Sequence, residues 1–305
     1  MNSFSAVRMQ KVAYAGWPNC IQVSNGQIEL TATTDVGPRI IRFGFVGGPN
    51  LFSEVPEHLG KTGGDEWKSY GGHRLWHAPE VMPRSYVPDN SSIEHVWDGR
   101  TLKLIQPVEA STGLQKEIEI TLDAKANRVS VLHRIRNKNG WAIEAAPWAL
   151  SVMRGPGTAI FPQEPPVDQL LPVRPLVLWG YTDMRDARWT WGTKFIQLRS
   201  DPAADKPQKF GIMNTLGWAA YAREETVFIK RYNFDPKAVY PDFSCNTESY
   251  TRGDMIEVET VGPLRKIESG AFVEHFEHWF LFKCKIGGTD DELETQLAPL
   301  IKNTQ

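Results

Sequence analysis

The sequence of 305 residues has few cysteines, little net charge and no long apolar run, and each scarcity excludes a class of protein. Its three cysteines, Cys20, Cys245 and Cys284, are scattered without metal-ligand spacing, which argues against a disulfide framework and favours a reducing compartment. A formal net charge of −2 gives no electrostatic basis for binding nucleic acid or an acidic membrane. No run approaches the roughly 18 apolar residues of a membrane helix.

Several common functional motifs are also missing. Residues 1–12 are polar and lack the apolar core of a signal peptide, so a cytoplasmic location is expected. The sequence contains no phosphate-binding P-loop, no Gly-x-Gly-x-x-Gly before a helix and no Gly-x-Ser-x-Gly elbow. Nucleotide cofactors and serine-hydrolase chemistry therefore have no support, and we expect no cofactor.

Strand patterns dominate what the sequence does contain. Apolar and polar residues alternate with the period of two that is typical of half-buried strands. The segments concerned are 27–32, 102–106, 117–122 and 128–136. Asp98-Gly99 lies between two such runs and predicts a hairpin turn.

Helical patterns are scarce. Only residues 289–302 combine a capping residue, Thr289, with acidic residues in the following turn. Many short strands without interleaved helices predict an all-β fold of antiparallel sheets with a short C-terminal helix. Without any composition shift to mark a boundary, residues 1–305 are expected to form a single domain. Residues 53–90 and 156–175 are rich in glycine and proline and are predicted to form long loops.

The segment Gly-Gly-His-Arg-Leu-Trp-His-Ala-Pro-Glu, residues 71–80, carries the densest set of candidate site residues. Arg74 presents a rigid fork of donors that suits adjacent hydroxyls or a carboxylate. His73 and His77 are four residues apart, but the zinc-protease pattern requires Glu directly after the first His, where this chain has Arg74. We therefore expect no metal site in this segment. Trp76 and Glu80 complete a polar, aromatic set suited to a polyhydroxy ligand.

A second candidate group lies near the C-terminus. Glu257 and Glu259 fall on one face of a predicted strand, where two like charges repel unless one is paired or protonated. Either they belong to a solvated outer face, or at least one lines a pocket with a shifted pKa. Among the eleven tryptophans, Trp76 and Trp179 are the best candidates for stacking surfaces.

Three segments resemble the galactose mutarotase-like superfamily, which includes the aldose 1-epimerases. They are GGHRLWHAPE (71–80), LVLWGYTDMRD (176–186) and EVETVGPLRKIESGAFVEHFEHWFLF (257–282), and the resemblance extends over nearly the whole chain. More narrowly, the chain resembles a bacterial branch that is described only as a domain of unknown function. The resemblance implies a β-supersandwich, with residues 53–90 crossing the mouth of a concave sheet.

The resemblance also implies roles for individual residues. His73-Arg74 resembles the Asn-Arg pair that binds sugar hydroxyls, and Glu259 resembles the catalytic base, with Glu257 as the alternative register. The mid-chain histidine that acts as the acid has no counterpart in residues 146–150, where Trp148 is a candidate substrate-binding residue. His73 or His77 would then supply the acid.

The predicted function is that of a carbohydrate-binding, aldose 1-epimerase-like protein that acts on a small sugar or sugar derivative in a concave pocket. This chemistry needs no metal and no organic cofactor, and no nucleic acid or membrane partner is expected. Two alternatives stay open. One is a sugar-binding or sensing module without catalysis. The other is a glycan-cleaving hydrolase or lyase, for which hydrolysis needs a second carboxylate about 5–9.5 Å from Glu259. Glu80, Glu248 and Asp183 are the candidates for that second carboxylate.

Overall fold

In the computed structural model, the described residues, 7–167 and 170–305, form 21 strands. The first ten are β1 Arg8–Tyr14, β2 Trp17–Ser24, β3 Ile28–Thr33, β4 Arg39–Phe45, β5 Gly72–Ala78, β6 Glu94–Trp97, β7 Thr101–Ile105, β8 Leu114–Leu122, β9 Arg128–Asn137 and β10 Ile143–Arg154. The others are β11 Thr158–Pro162, β12 Leu176–Leu178, β13 Trp189–Trp191, β14 Phe195–Arg199, β15 Gln208–Ile212, β16 Trp218–Arg223, β17 Thr226–Tyr232, β18 Thr247–Arg252, β19 Met255–Val261, β20 Arg265–Ile267 and β21 Phe272–Lys283.

These strands build two sheets in which the paired strands run antiparallel. The first sheet has eleven strands in the order β1-β2-β3-β4-β5-β10-β19-β18-β15-β12, with β20 paired to β10. The second sheet has ten strands in the order β13-β14-β11-β16-β17-β21-β9-β8-β7-β6. The main apolar core lies between the sheets, where Phe43, Phe52, Phe228 and Trp279 pack with ring centroids 5.4–6.5 Å apart. The predicted all-β sandwich of antiparallel sheets is confirmed.

The four segments with period-two alternation are strands in the structure. They correspond to β3, β7, β8 and β9, and β9 alternates between half-buried and buried residues along its whole length. The Asp98-Gly99 hairpin is also confirmed. The strands β6 and β7 pair on either side of this turn, with Trp97 opposite Leu102. Alternation predicts β7 and β9 well because each has one face on the core and one half-exposed face. In β3 only Glu29 is partly exposed, so there the sequence alternates in polarity while the burial does not.

Two segments predicted as loops contain strands. Residues 53–90 include β5, which lies in the middle of the first sheet, so this segment does not simply cross the mouth of a sheet. Residues 156–175 include β11, a central strand of the second sheet. Every residue of β5 is buried. A strand covered on both faces has no solvent-facing row, and this removes the alternation on which sequence prediction depends.

The C-terminal helix, Asp290–Lys302, begins after Thr289 as predicted. The Thr289 hydroxyl accepts a hydrogen bond from the amide of Glu292, and the Glu292 carboxylate accepts one from the amide of Thr289. This capping box satisfies two amides that the first helical turn leaves unpaired. Leu293 and Leu297 pack the helix against the second sheet. Within the described residues, no helix has the length and apolar character needed to cross a membrane.

Candidate functional site

The candidate site lies on the outer face of the first sheet, which is the face turned away from the second sheet. Along β5, Arg74 and Trp76 point to this face, while His73 and Leu75 point into the core between the sheets. Strand register places Arg74 opposite Leu150, Leu150 opposite Glu259 and Glu259 opposite Glu248. Four neighbouring strands, β5, β10, β19 and β18, therefore carry one row of side chains across the sheet.

One end of this row is a lysine shared by two carboxyl groups. Lys209, on β15, places its Nζ 2.9 Å from Glu248 Oε2 and 3.4 Å from Glu259 Oε2. All three side chains are at least 95% buried. In this buried position the two carboxylates would repel each other strongly if both were ionised, even with one ammonium beside them. The two carboxyl groups are therefore expected to share one proton.

Burial is the main cause that raises the pKa of Glu259 to about 8, with further contributions from Glu257 and Glu248 and an opposing one from Lys209. Burial likewise raises the pKa of Glu248 to about 7, against the effect of Lys209. For Lys209, burial alone would lower the pKa, but the two carboxylates hold it well above its ordinary value. Near neutral pH the lysine is therefore charged, and the two carboxyl groups titrate as a coupled pair.

Indole rings surround this cluster. The Trp148 Nε1–H donates a hydrogen bond to Glu259 Oε2 over 2.8 Å. Lys209 Nζ lies 4.7 Å from the ring centroid of Trp148 and 4.5 Å from that of Trp179. Both distances are within cation–π range, so the rings help to hold the ammonium between the carboxyl groups.

The other end of the row is formed by Arg74. Its NH2 group donates to Glu257 Oε1 over 3.0 Å, and its guanidinium carbon lies 4.6 Å from the Trp76 ring centroid and 5.7 Å from that of Trp67. Trp76 in turn packs edge-on against Trp148 at 5.4 Å. The aromatic wall is therefore continuous from the arginine end to the carboxyl end.

Five buried polar atoms in this region have no hydrogen-bond partner among the residues that the structure describes. At the arginine end they are the Nε and NH1 groups of Arg74 and the Nε1 of Trp67, all donors. At the carboxyl end they are Oε1 of Glu248 and Oε1 of Glu259. Buried polar groups are nearly always paired, so the unpaired donors at one end of the row and the unpaired carboxyl oxygens at the other are groups that a polar ligand or water would satisfy.

Loops from two directions cover the site. Glu80 and Tyr86 are hydrogen-bonded to each other at the rim beyond β5. Tyr181 lies two residues after Trp179. Burial is the main cause that raises the pKa of its hydroxyl, and the charges of Glu259 and Glu80 raise it further. Asp242 lies beside Glu248 and raises the pKa of that carboxyl group. Asp242, Phe243 and Ser244 all have a positive φ, of 50°, 57° and 75°, in a region that residues other than glycine rarely adopt.

The structure does not bring His73 and His77 to this face, which corrects the prediction that one of them supplies the acid. His73 lies between the sheets, where its Nε2 is 2.7 Å from His133 Nε2 and its Nδ1 is 2.8 Å from the Ser151 hydroxyl. His77 is on the same side of β5 and is fully buried. Side chains alternate along a strand, so neither imidazole can share a face with Arg74.

His73 belongs to a buried polar network with His133 and Glu277. Their nearest ligand atoms lie within 4.8 Å of one another, a spacing that could hold a metal ion. However, His133 Nδ1 donates to the carbonyl of His275, so its Nε2 accepts from His73 Nε2–H when both rings are neutral. Glu277 accepts from Lys230, Thr260 and Trp279. Each ligand atom thus has a hydrogen-bond partner, and the arrangement does not require a cation.

The other predicted residues divide into two groups. Glu257, Trp76, Trp148 and Trp179 lie with Arg74 and Glu259 at the site described above, and Glu80 lies at its rim. Asp183 instead sits at the surface, with its carboxylate bonded to the exposed Arg185. Lys209, Tyr181 and Asp242 are site residues that no sequence pattern reveals, and Glu248 is predicted from the sequence only as a possible second carboxylate.

Comparison with solved structures shows that the chain has the galactose mutarotase-like fold. A candidate aldose 1-epimerase from Klebsiella pneumoniae aligns with a TM-score of 0.60 and 9% identity over 97% of this chain and 86% of that chain. A galactose mutarotase-like protein from Lactobacillus casei aligns with a TM-score of 0.56 and 10% identity over 87% of this chain and 100% of that chain.

A TPR-domain containing protein from Parabacteroides distasonis aligns with a TM-score of 0.58 and 11% identity over 88% of this chain, which spans about half (48%) of that protein. The sequence itself matches no protein-family profile and no curated protein. At these identities the likeness establishes the fold, and the chemistry has to be argued from this chain's own residues.

Proposed function

We propose that the outer face of the first sheet binds a carbohydrate and interconverts its anomers, with Glu259 and Glu248 as the acid–base pair. The observation that carries this proposal is the sharing of Lys209 by two buried carboxyl groups, each with one unpaired oxygen. Pairs of titratable groups with displaced pKa values are how enzymes hold one acid and one base at the same pH.

Anomer exchange requires two proton transfers on neighbouring oxygens. Because the carboxyl pair titrates as one unit, its single proton can reside on either group. The proton lies mainly on Glu259, whose pKa is the higher of the two. The reactive state is the less populated form of the pair, in which Glu259 is ionised and takes the proton from the anomeric hydroxyl, while the protonated Glu248 donates its proton to the ring oxygen. The bond from the anomeric carbon to the ring oxygen breaks as the carbonyl forms, and the reverse transfers close the ring on the other face. Each transfer is worth about 10²–10⁴-fold in rate.

The remaining features fit a single sugar ring. Arg74 and Glu259 are two strands apart, which is roughly 10 Å between backbones. Leu150 lies between them as an apolar floor, and Trp76 and Trp148 form an apolar wall. A sugar lying on Leu150 would direct hydroxyl oxygens to the unpaired donors of Arg74 and Trp67, and its anomeric carbon to the carboxyl pair. No histidine is needed for this chemistry.

The direct test is anomer exchange measured by NMR on a panel of free sugars and sugar acids. We expect exchange between the α and β forms of at least one of them to be accelerated by the folded protein. Binding without acceleration would support a sugar-binding module instead. New reducing ends from oligosaccharides would support glycan cleavage by Glu259 with Glu248, its cross-strand neighbour.

The pH dependence of exchange should be bell-shaped. The carboxyl pair titrates with apparent pKa values of about 7 and about 8, so the state with one shared proton is most populated between them. Below this range both groups are protonated and no base remains, and above it both are ionised and no acid remains. We expect kcat/KM to be highest between about pH 7 and 8. A rate that rises steadily to pH 10 after subtraction of the uncatalysed reaction would contradict the shared-proton mechanism.

The substitution Arg74→Lys tests the donor end. A lysine can keep the ion pair with Glu257, but it lacks the planar fork whose Nε and NH1 donors face the site. We expect sugar affinity to fall at least tenfold while the melting temperature stays nearly unchanged. Equal losses of affinity and stability would instead indicate that Arg74 only braces the sheet, and unchanged affinity would remove it from the site.

A further inference from the structure

The turn Pro241–Ser244 lies on the same face of the first sheet as the proposed carbohydrate site. Gly211 is opposite Glu248 in the strand register and extends the row of site side chains by one strand. A Cβ atom at Gly211 would lie 2.6 Å from Cys245 Sγ and 3.4 Å from Glu248 Cγ. The glycine therefore leaves the space in which Cys245, the residue directly after the turn, packs beside the carboxyl end of the site.

The turn holds three consecutive residues in a left-handed backbone conformation. The φ angles of Asp242, Phe243 and Ser244 are 50°, 57° and 75°, in a region that is costly for residues with a Cβ atom. The amide of Cys245 donates to the carbonyl of Pro241 over 3.0 Å, and both of these residues are buried. The fixed ends therefore hold the middle of the turn in a strained conformation. Strain of this kind clusters at active sites and ligand clamps.

Phe243 presents a large apolar side chain to solvent at the edge of the site. It is 89% exposed, the highest value for a large apolar side chain among the residues that the structure describes. A phenyl ring this exposed buries almost no apolar area, so packing in the folded protein does not account for it. The carboxyl group of its neighbour, Asp242, lies beside Glu248. Because adjacent Cα atoms are only about 3.8 Å apart, the ring is close enough to reach a ligand at Glu248.

A sugar ring in the proposed site leaves one of its faces open. Leu150 forms the floor of the site, and Trp76 and Trp148 form its wall, so these residues do not contact the face of the sugar that is turned away from Leu150. The C–H groups of a pyranose carry partial positive charge and pack on the negative face of an aromatic ring. An aromatic ring on the outer side of the sugar would also hold the anomeric carbon close to the carboxyl pair.

We propose that Phe243 is a substrate-positioning residue whose ring packs on the C–H face of a pyranose bound beside Glu248 and Glu259. This inference rests on the proposed carbohydrate site and names its class of ligand, a sugar in the closed ring form. An open-chain alditol offers similar hydroxyls but has no rigid C–H face, so it gains nothing from Phe243.

The test is a titration of the full chain, followed by tryptophan fluorescence, with four probes that form pyranose rings: D-glucose, D-galactose, D-mannose and D-glucuronate. Galactitol and D-glucitol are the open-chain controls. We expect at least one of the four sugars to bind, Phe243→Ala to weaken its binding by about fivefold or more, and Phe243→Tyr to restore the affinity to within about twofold. The alditols should bind equally weakly to the wild type and to Phe243→Ala.

Two further readouts separate positioning from a structural role. Phe243→Ala should leave the melting temperature without sugar unchanged, because the ring buries little area. In the exchange assay it should raise KM more than it lowers kcat, whereas Glu259→Gln should lower kcat.

Sugar binding that Phe243→Ala does not weaken would overturn this inference and leave the carbohydrate site in place. A lower melting temperature for Phe243→Ala, or a loss that Phe243→Tyr does not restore, would also overturn it. If none of the four sugars binds to the wild type, the carbohydrate site and this inference are both overturned.

Discussion

Replacing Lys230 by methionine is expected to lower the free energy of unfolding by about 3–5 kcal/mol. Lys230 Nζ lies 2.9 Å from Glu277 Oε1 between the two sheets, and both side chains are fully buried. Burial alone would raise the pKa of Glu277, but Lys230 and the three neighbouring histidines hold it well below its ordinary value. Without the ammonium, a carboxylate remains in the core, and among the described residues only Thr260 and Trp279 donate to it. Chemical denaturation of the variant measures the loss.

Two control variants make this result specific. The double substitution Lys230→Met with Glu277→Gln removes both charges and keeps an acceptor for Thr260 or Trp279, so it should recover most of the loss. Lys266→Met breaks an ion pair with Glu268 in which both side chains are about two-thirds exposed, and we expect no measurable change. A loss below about 1 kcal/mol for Lys230→Met would mean that the buried ion pair contributes little to the stability of the folded state.

Glu259→Gln is expected to lower kcat for anomer exchange by about 10²–10⁴-fold. Glutamine keeps the size of the side chain and can still accept from the Trp148 indole, but it cannot take a proton. Lys209 retains Glu248 as a partner at 2.9 Å, so the melting temperature should change little. The rate is measured on whichever sugar the exchange panel identifies.

Glu257→Gln is the matched control for the register of the two glutamates. Glu257 pairs with Arg74 rather than with Lys209. Its substitution should therefore weaken sugar binding, while kcat should change by less than about tenfold. If Glu257→Gln removes the rate and Glu259→Gln does not, the base is Glu257 and the role proposed for Glu259 is wrong.

The sequence predicts the sandwich because several strands alternate visibly, as β7, β8 and β9 do. It also predicts the C-terminal helix, since Thr289 and Glu292 form a local capping pattern. It fails at β5, where every residue is buried and no alternation remains. As a consequence, the sequence analysis places His73 and Arg74 in the same site because they are adjacent in the chain. In a strand, adjacent side chains point to opposite faces, so the two residues are separated.

The carboxyl cluster illustrates what sequence patterns cannot supply. Glu257 and Glu259 are recognisable as a pair on one strand, and they do share a face. Lys209 and Glu248 come from β15 and β18, and only the strand order and register bring them to Glu259. Contacts between distant segments of an antiparallel sheet depend on tertiary pairing that no local pattern encodes. The same reason explains why His133, which contacts His73, gives no signal in the sequence.

The most direct test of the carbohydrate site is a crystal structure of the protein with the sugar that stabilises it most in a thermal screen. We predict that the sugar ring lies over Leu150 on the outer face of the first sheet. Its anomeric oxygen should contact Glu259 and Glu248, and its other hydroxyls should contact Arg74. A sugar bound elsewhere on the chain, with Glu248 and Glu259 untouched, would contradict the claim that this cluster is the site of carbohydrate chemistry.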